Sequence, residues 1–508
     1  MRGDANVPVI VGVGFHQETS KDPLECSEPY RSMVEAVRRA AEDAGRPEFI
    51  RDLQSVSVPR GLWHYRNPGR LVAEALGCTS AKTVIADLGV LQLTLLSELC
   101  RAVAAGEQEI GVVTGGEAQF RELRGMITRQ PVADTEEAGN APQPDVHHTS
   151  PDPFCSDLES QRGIQSPAEY FAIIESALRH ERGLGVEEHR DELAALYSRF
   201  SEIAARNPHA WRREPLGPAE IRNSGPGNAM IAFPYTKRHC SYWNVNQSVA
   251  IIVCSVSKAE RLGLVPAGWI YPVSAAQSRH VVPLAQKKAL HRHSGTVLAG
   301  ERALALAGAS VGDVIAAELY RCFPSAIQCF ARDLKLAEGC PWTVTGAMPY
   351  AGGPFNHASL EGVARMVEVL RANDDTSAPR RRLGLVSNLS GIFGKQACAL
   401  FSNVPGDGGY GYEDVTAAVA EIDRPLPLDG EYAGRATIVG YTVAFVRERP
   451  AHAVAVCDTP DGARTVARSD DSALLEEMTR EEFCGRVIKI RPGGVMCSTS
   501  RGPTGSSK

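Results

Sequence analysis

Apolar positions along the chain change period repeatedly, from unbroken β-branched runs to three-or-four-residue spacing and back. VPVIVGVG (7–14) has the pattern of a buried strand. YRSMVEAVRRAAEDAG (30–45) carries one apolar face and stops at a glycine, as an amphipathic helix does. LQSVSVP and TVIADL (83–88) follow as strands, PGRLVAEALG and a segment near 92–105 as helices, and EIGVVTGGE as a further strand. Strands alternating with helices predict a mostly parallel, helix-covered sheet.

The same rhythm returns later in the chain. GWIYPVSAA, DVIAAELY and a short WTVTG read as strands; SGTVLAGERALALAGA, SAIQCFARDLKLA and HASLEGVARMVEVLRA read as helices; RRLGLVSN and KQACALFSN close the series as two strands. Two halves with one element order predict an internally duplicated α/β domain. We assign 1–116 with 248–265 to the first half and 266–404 to the second. The insertion between them, 117–247, starts as an acidic, proline-rich loop (134–157) and continues as two helical patterns, PAEYFAIIESALRHERG and EEHRDELAALYSRFSEIAARNP. A long insertion on a rigid sheet scaffold is where binding function tends to sit. PGDGGYGYED (405–414) reads as a linker. GRATIVGYTVAFV, HAVAVCDTPDGARTVARS and CGRVIKIRPGG then predict a small β-barrel of OB type over 415–496, and 497–508 reads as a disordered tail.

Composition narrows the function classes. With 508 residues, 43% hydrophobic and 22% charged, the chain is an ordinary globular protein long enough for about three domains. A net charge of −6 gives no footprint for bulk nucleic-acid binding, and the acidic ARSDDSALLEEMTREEF opposes a strand-binding role for the barrel. No apolar stretch reaches the roughly 18 residues of a membrane span, and MRGDANVPVIVGVG is too short and acidic for a signal peptide, so a cytoplasmic location is expected. The 13 cysteines are scattered, without a C-x-x-C pair; that spacing argues against a disulfide framework or a metal site and for buried free thiols.

Five segments, in order, resemble the thiolase superfamily, specifically the sterol-carrier-protein-type thiolases and their actinobacterial thiolase-like relatives. AVAAGEQEIGVVTGGEA is similar to the family's helix-AG-strand-GG-E segment. FPYTKRHCSYWNVNQSVAIIVCS is similar to P-Y-T-K followed by N-V-D-Q-A-A. AAELYRCFPSAIQ stands where the family carries E-x-H-D-C-F, TVTGAMPYAGGPFNHASLEGVARMV where it carries G-G-x-x-x-x-G-H-P, and GLVSNLSGIFG at the last catalytic loop. The resemblance covers about 8–403, and the segment after it is similar to the extra domain of thiolase-like proteins of type 1. It implies an α/β, duplicated five-layered α-β-α-β-α core with an inserted loop domain over coenzyme A. Such cores normally dimerise, though an added domain can occlude that face, so monomer and homodimer both stay open.

The resemblance also implies where chemistry should be, and there the chain departs. Thiolysis needs a cysteine at the start of the helix after the third strand, where the positive helix end favours thiolate. Counting back from the Ala105–Gly106 turn, that position falls on Gly89; Cys100 lies well inside the helix. The Asn or His of the second loop falls on Tyr320, the histidine of G-H-P on Gly353, and the second cysteine near Asn388 and Leu389. Nucleophile, base and acid are all missing, so ordinary thiolase activity is not expected. Some superfamily members without the cysteine act as aldolases on acyl-CoA with tyrosines as acid and base. By that likeness Tyr320, Tyr350, His357 and His239 are the candidates for proton transfer.

Coenzyme A needs cations for its phosphates and a flat surface for adenine. Trp211, Arg212 and Arg213 in HAWRREP, with Lys237 and Arg238 in YTKRH, are the candidates within the insertion. The expected ligand is an acyl-CoA or carrier-bound acyl thioester. Two functions follow: a non-standard acyltransferase or carbon–carbon bond enzyme working without the cysteine nucleophile, or a non-catalytic binder of CoA or lipid thioesters.

Overall fold

In the computed structural model, which describes residues 5–150, 152–337, 339–372 and 381–497, each half builds one sheet. The first sheet runs in the order Pro8–Gln17, Asn246–Ser255, Ile110–Ala118, Ser55–Pro59, Lys82–Ala86, Val146–His148. The second runs Val314–Glu318, Leu383–Ser390, Lys395–Ser402, Tyr271–Ser278, Gly411–Asp414. Both place two antiparallel neighbours beside parallel ones, as a duplication requires.

Between the sheets lies a shared layer. Leu93, Leu96, Cys100 and Val103 of the helix Gln92–Ala104 pack into one buried cluster with Leu360, Val363, Val367 and Leu370 of Ala358–Ala372. Helices Pro29–Asp43 and Pro68–Leu76 cover the far face of the first sheet. Ser294–Leu306 and Pro324–Asp333 cover the far face of the second, with the insertion's helices Pro167–Glu181 and Val186–Arg206 joined to that cluster. This is the expected α-β-α-β-α stack. Among the described residues no helix is long and apolar enough to cross a membrane.

Three local expectations change. WTVTG is not a strand: only Pro341 and Trp342 accept backbone bonds from Ala317 and Leu319. The buried Glu318 carboxylate takes the next N–H groups instead, those of Val344 (2.6 Å) and Thr345 (3.0 Å), and both threonine hydroxyls. A side-chain acceptor has replaced the ladder. In the acidic loop, Asp145 accepts from Thr83 N–H (2.7 Å) and its hydroxyl (2.9 Å), laying Val146–His148 along Lys82–Ala86 as an edge strand. The glycine-rich stretch read as a linker ends in Gly411–Asp414, paired with Tyr271–Ser278, and is followed by the helix Thr416–Ile422.

Past that helix, five strands close on themselves. Gly434–Val446 pairs with both Arg449–Asp458 and Val487–Arg491, and Arg464–Ser469 and Val495–Cys497 complete the barrel. The acidic stretch forms the helix Ser472–Met478, capped by Asp471, which turns Leu474, Leu475 and Met478 into the barrel core. Cys497 ends the last strand; the rest of the expected tail, 498–508, lies outside the described residues.

The barrel also continues into the insertion. Phe233 N–H donates to Val443 O (2.8 Å), and Met230–Ala232 adds to the edge of Gly434–Val446. Arg179, fully buried on Pro167–Glu181, bonds Glu482 (2.8 and 3.1 Å) and the Tyr441 hydroxyl (2.9 Å). A guanidinium out of water is costly unless paired, so this contact fixes the docking. Arg179→Met is expected to cost about 3 kcal/mol, the low end for a broken buried pair because Glu482 keeps some solvent. Hydrogen exchange should place the lost protection in Gly434–Val446 and Pro167–Glu181; protection lost evenly over the molecule would put the link elsewhere.

Candidate functional site

The loops at one end of the shared helical layer converge on a cavity of about 290 Å³. Leu88, Gly89 and Gln92 reach it from the start of Gln92–Ala104, Tyr320 and Cys322 from the loop after Val314–Glu318, and Gly353 and Asn356 from the loop before Ala358–Ala372. Leu389 to Ile392 come from the last hairpin, and the insertion adds Phe154, Pro167, Phe171, Ser241 and Trp243. Both halves and the insertion therefore meet at one mostly apolar space. A larger cavity, about 870 Å³ and lined by Arg121, Arg129, Asp134 and Glu136, receives none of these loops.

Four of the positions singled out in the sequence come together here: Gly89, Tyr320, Gly353 and Leu389. Gly89 has φ +94°, a conformation that side chains resist. A Cβ at 89 would fall 2.7 Å from Ser150 Oγ, and one at 353 would fall 2.1 Å from Ser241 Oγ. Serine side chains thus fill the volumes beside both glycines. Tyr320 lines the cavity and, among the described residues, nothing hydrogen-bonds its hydroxyl; Ser387 Oγ holds its backbone N–H (2.8 Å). Burial pushes this phenol above its ordinary pKa, so it stays protonated and able to donate.

The helix tip is occupied by an amide. Asn388 Oδ1 accepts from Leu93 N–H (3.0 Å), while its Nδ2 donates to Gln92 Oε1 (3.0 Å) and Ser359 Oγ (2.9 Å). Gln92 Nε2 in turn donates to Asn356 Oδ1 (3.1 Å). The network is closed among neutral groups, where a thiolate would have drawn on the same N–H end. Cys322 is the cysteine that lines this cavity, passed over in the sequence because its motif drew attention to Tyr320. Burial raises its pKa, which disfavours thiolate. Cys100 is buried in the shared layer and raised likewise.

The remaining proton-transfer candidates do not line the cavity. Tyr350 is buried, its hydroxyl donating to Arg238 O (3.2 Å) and its ring lying against Tyr197. His239 is buried with Nδ1 3.0 Å from Thr236 Oγ1, and His357 is buried with Nε2 3.8 Å from Glu361. Of the cofactor candidates, Trp211 packs its ring on Phe120 and Arg238 bonds Glu220 O (2.8 Å). Arg212, Arg213 and Lys237 are exposed. The Arg212 guanidinium lies 4.0 Å over the Tyr242 ring, between two residues of the cavity rim, Ser241 and Trp243. Trp243, 49% exposed, and Phe154 are the aromatics at the opening, and no sequence pattern marks their exposure.

Comparisons with known proteins agree with this architecture. Residues 414–495 match the thiolase-like protein type 1 additional C-terminal domain. An acetyl-CoA acetyltransferase of Methanothermobacter thermautotrophicus is 24% identical over 262 residues, 48% of this chain; the chain covers 65% of that relative's length, less than two thirds. A monomeric SCP2-thiolase like protein type 1 from Mycobacterium smegmatis has a TM-score of 0.78 at 24% identity, over 97% of this chain and 99% of that one. The Ltp2-ChsH2(DUF35) aldolase has a TM-score of 0.57 at 18% identity, over 79% of this chain and 99% of that one. The chain has the thiolase fold with a closed five-stranded barrel and resembles the thiolase-like proteins of type 1.

Burial lowers His357 from 6.5 to about 3. Between those values the unfolded chain holds a proton the folded chain lacks, so the stability tied to neutral His357 is complete above 6.5 and lost as pH falls toward 3. Against His357→Gln, the wild type should lose about 1.4 kcal/mol per unit of acidification between roughly pH 6 and 4. A pH-independent difference in denaturation midpoints would show the ring to be solvated.

Proposed function

We propose that the protein acts on acyl-CoA or a related acyl thioester, as a non-standard acyltransferase or carbon–carbon bond enzyme that works without the thiolase cysteine. One observation carries this reading: Gly89, Tyr320, Gly353 and Leu389 ring a single cavity in which, among the described residues, nothing hydrogen-bonds the Tyr320 hydroxyl. The volume is enough for an acyl chain and the end of a pantetheine arm but not for a nucleotide, so the nucleotide lies outside, by Trp243, Arg212 and Lys237. There a ring face and cations suit adenine and phosphates. Tyr320 donates its proton to the thioester or product oxygen as charge develops there. The likeness to an acetyl-CoA acetyltransferase supports coenzyme A, and the likeness to an aldolase supports carbon–carbon bond chemistry.

A second reading, a non-catalytic holder of CoA thioesters, is favoured by the closed Asn388 network at the helix tip. We also place the protein in the cytoplasm and read it as a monomer, because its own Val146–His148 covers the edge of Lys82–Ala86.

Full-length protein offered a panel of acyl-CoAs, with calorimetric binding beside product analysis, separates the two readings. The first expects turnover, and Tyr320→Phe should lower it by about a hundredfold or more with affinity unchanged. Saturable binding with no product from any donor leaves the second, and no binding removes both. Trp243→Ala should weaken CoA affinity about tenfold, the worth of one lost stacking contact.

A further inference from the structure

Beside Gly89 lies a second cavity of different character. It measures about 500 Å³ and is lined by Thr94, Arg101, His148, Ser150, Arg279 and Lys395 among others; Gly89 lines both cavities. Ser150 reaches Gly89 on the segment following Val146–His148. With a Cβ at 89 only 2.7 Å from its Oγ and 2.8 Å from its own Cβ, the serine side chain stands in the space that a residue-89 side chain would enter.

Lys395 comes to the same point from the other half, as the first residue of Lys395–Ser402. Its side chain is 6% exposed. Nζ donates to Ser150 Oγ and pairs with Asp152 Oδ2 at 2.7 Å. A lysine so enclosed is retained at a cost unless its charge is matched, and the groups that match it are the hydroxyl and carboxylate beside Gly89.

We propose that Ser150 Oγ takes the place of the missing thiol as the acyl-accepting nucleophile, with Lys395 and Asp152 relaying its proton. This rests on the thioester reading above. Oγ attacks the thioester carbonyl carbon. Lys395 Nζ first gives a proton to the Asp152 carboxylate, which frees its lone pair; the Oγ–H bond then breaks as the Oγ–C bond forms, and Nζ takes that proton and becomes an ammonium again. The C–S bond then breaks, and the thiolate leaves with the electron pair and takes the proton from Asp152. An acyl-serine ester and a free thiol result, with nothing oxidised or reduced. An acceptor hydroxyl or water entering from the polar cavity reverses these steps to release the acyl group.

Octanoyl-CoA and acetyl-CoA are the probes. Full-length protein is incubated with each, quenched in acid and mapped by mass spectrometry. One acyl group is expected on the peptide carrying Ser150, stable to neutral hydroxylamine because it is an oxygen ester. Ser150→Ala should remove the adduct and lower turnover by at least about a hundredfold. Ser150→Cys, close to isosteric, should move the label into a thioester that neutral hydroxylamine cleaves, a change that a packing role would not produce. Lys395→Met should slow acylation by about a hundredfold or more with CoA affinity unchanged. An adduct on Cys322, or full turnover by Ser150→Ala, overturns the assignment and leaves the thioester reading standing. A wild-type protein that neither binds nor turns over either acyl-CoA overturns both.

Discussion

Two sheets share one layer of helices, and that sharing sets the geometry of everything at its end. The helix of the first half and the helix of the second have no other core to pack in, so their N-terminal loops must come within reach of each other. Asn388 shows how close: a side chain on a strand of the second half satisfies the Leu93 N–H of a helix in the first, and bonds Ser359 on the way. A backbone N–H left unmet there would cost about 1–3 kcal/mol. The amide therefore holds the two halves in register as well as covering the helix tip.

The character of this tip is spread over several residues. A cysteine at 89 would require a side chain at φ +94° and would clash with Ser150; a histidine at 353 would meet Ser241. The volumes beside both glycines are filled by hydroxyls, and the positive end of the helix is met by a carboxamide. Beside the open cavity the helix tip itself is filled, and at Asn388 it is fully bonded.

Much of the core was readable because period carries burial: the runs at 8–17 and 110–118 and the face of 29–43 are dictated by contacts that repeat along each element. Gly89, Tyr320, Gly353 and Leu389 could be placed because the motifs around them keep their order. The losses have local causes. WTVTG has strand composition, but Glu318, twenty-odd residues earlier, takes its N–H groups. VHH looks like loop until Asp145 reaches Thr83. Tyr350, His239 and His357 sit in the right motifs, yet one turn of backbone decides whether a ring faces a cavity or a neighbour, and no spacing rule reports that. Trp243 and Ser150 were missed for the converse reason. Each becomes conspicuous only when segments distant in sequence are brought together.

The barrel's part in this follows from what it touches. It has no residue in the cavity, but it grips Pro167–Glu181 through Arg179, Tyr441 and Glu482 and adds Met230–Ala232 to its own sheet. Those two insertion segments lead directly to the cavity wall: Pro167 and Phe171 are in the first turns of the gripped helix, and Ser241 and Trp243 follow the added strand. An insertion of this length on loops alone would sample many positions over the core, and a cavity of a few hundred cubic ångströms would not keep its shape. Tied at both places to a closed barrel, it cannot swing as a hinged lid without breaking a buried ion pair and a strand pairing. The cavity wall at Pro167, Phe171, Ser241 and Trp243 is thereby held in place, which makes the barrel a determinant of the cavity's shape although none of its residues lines it.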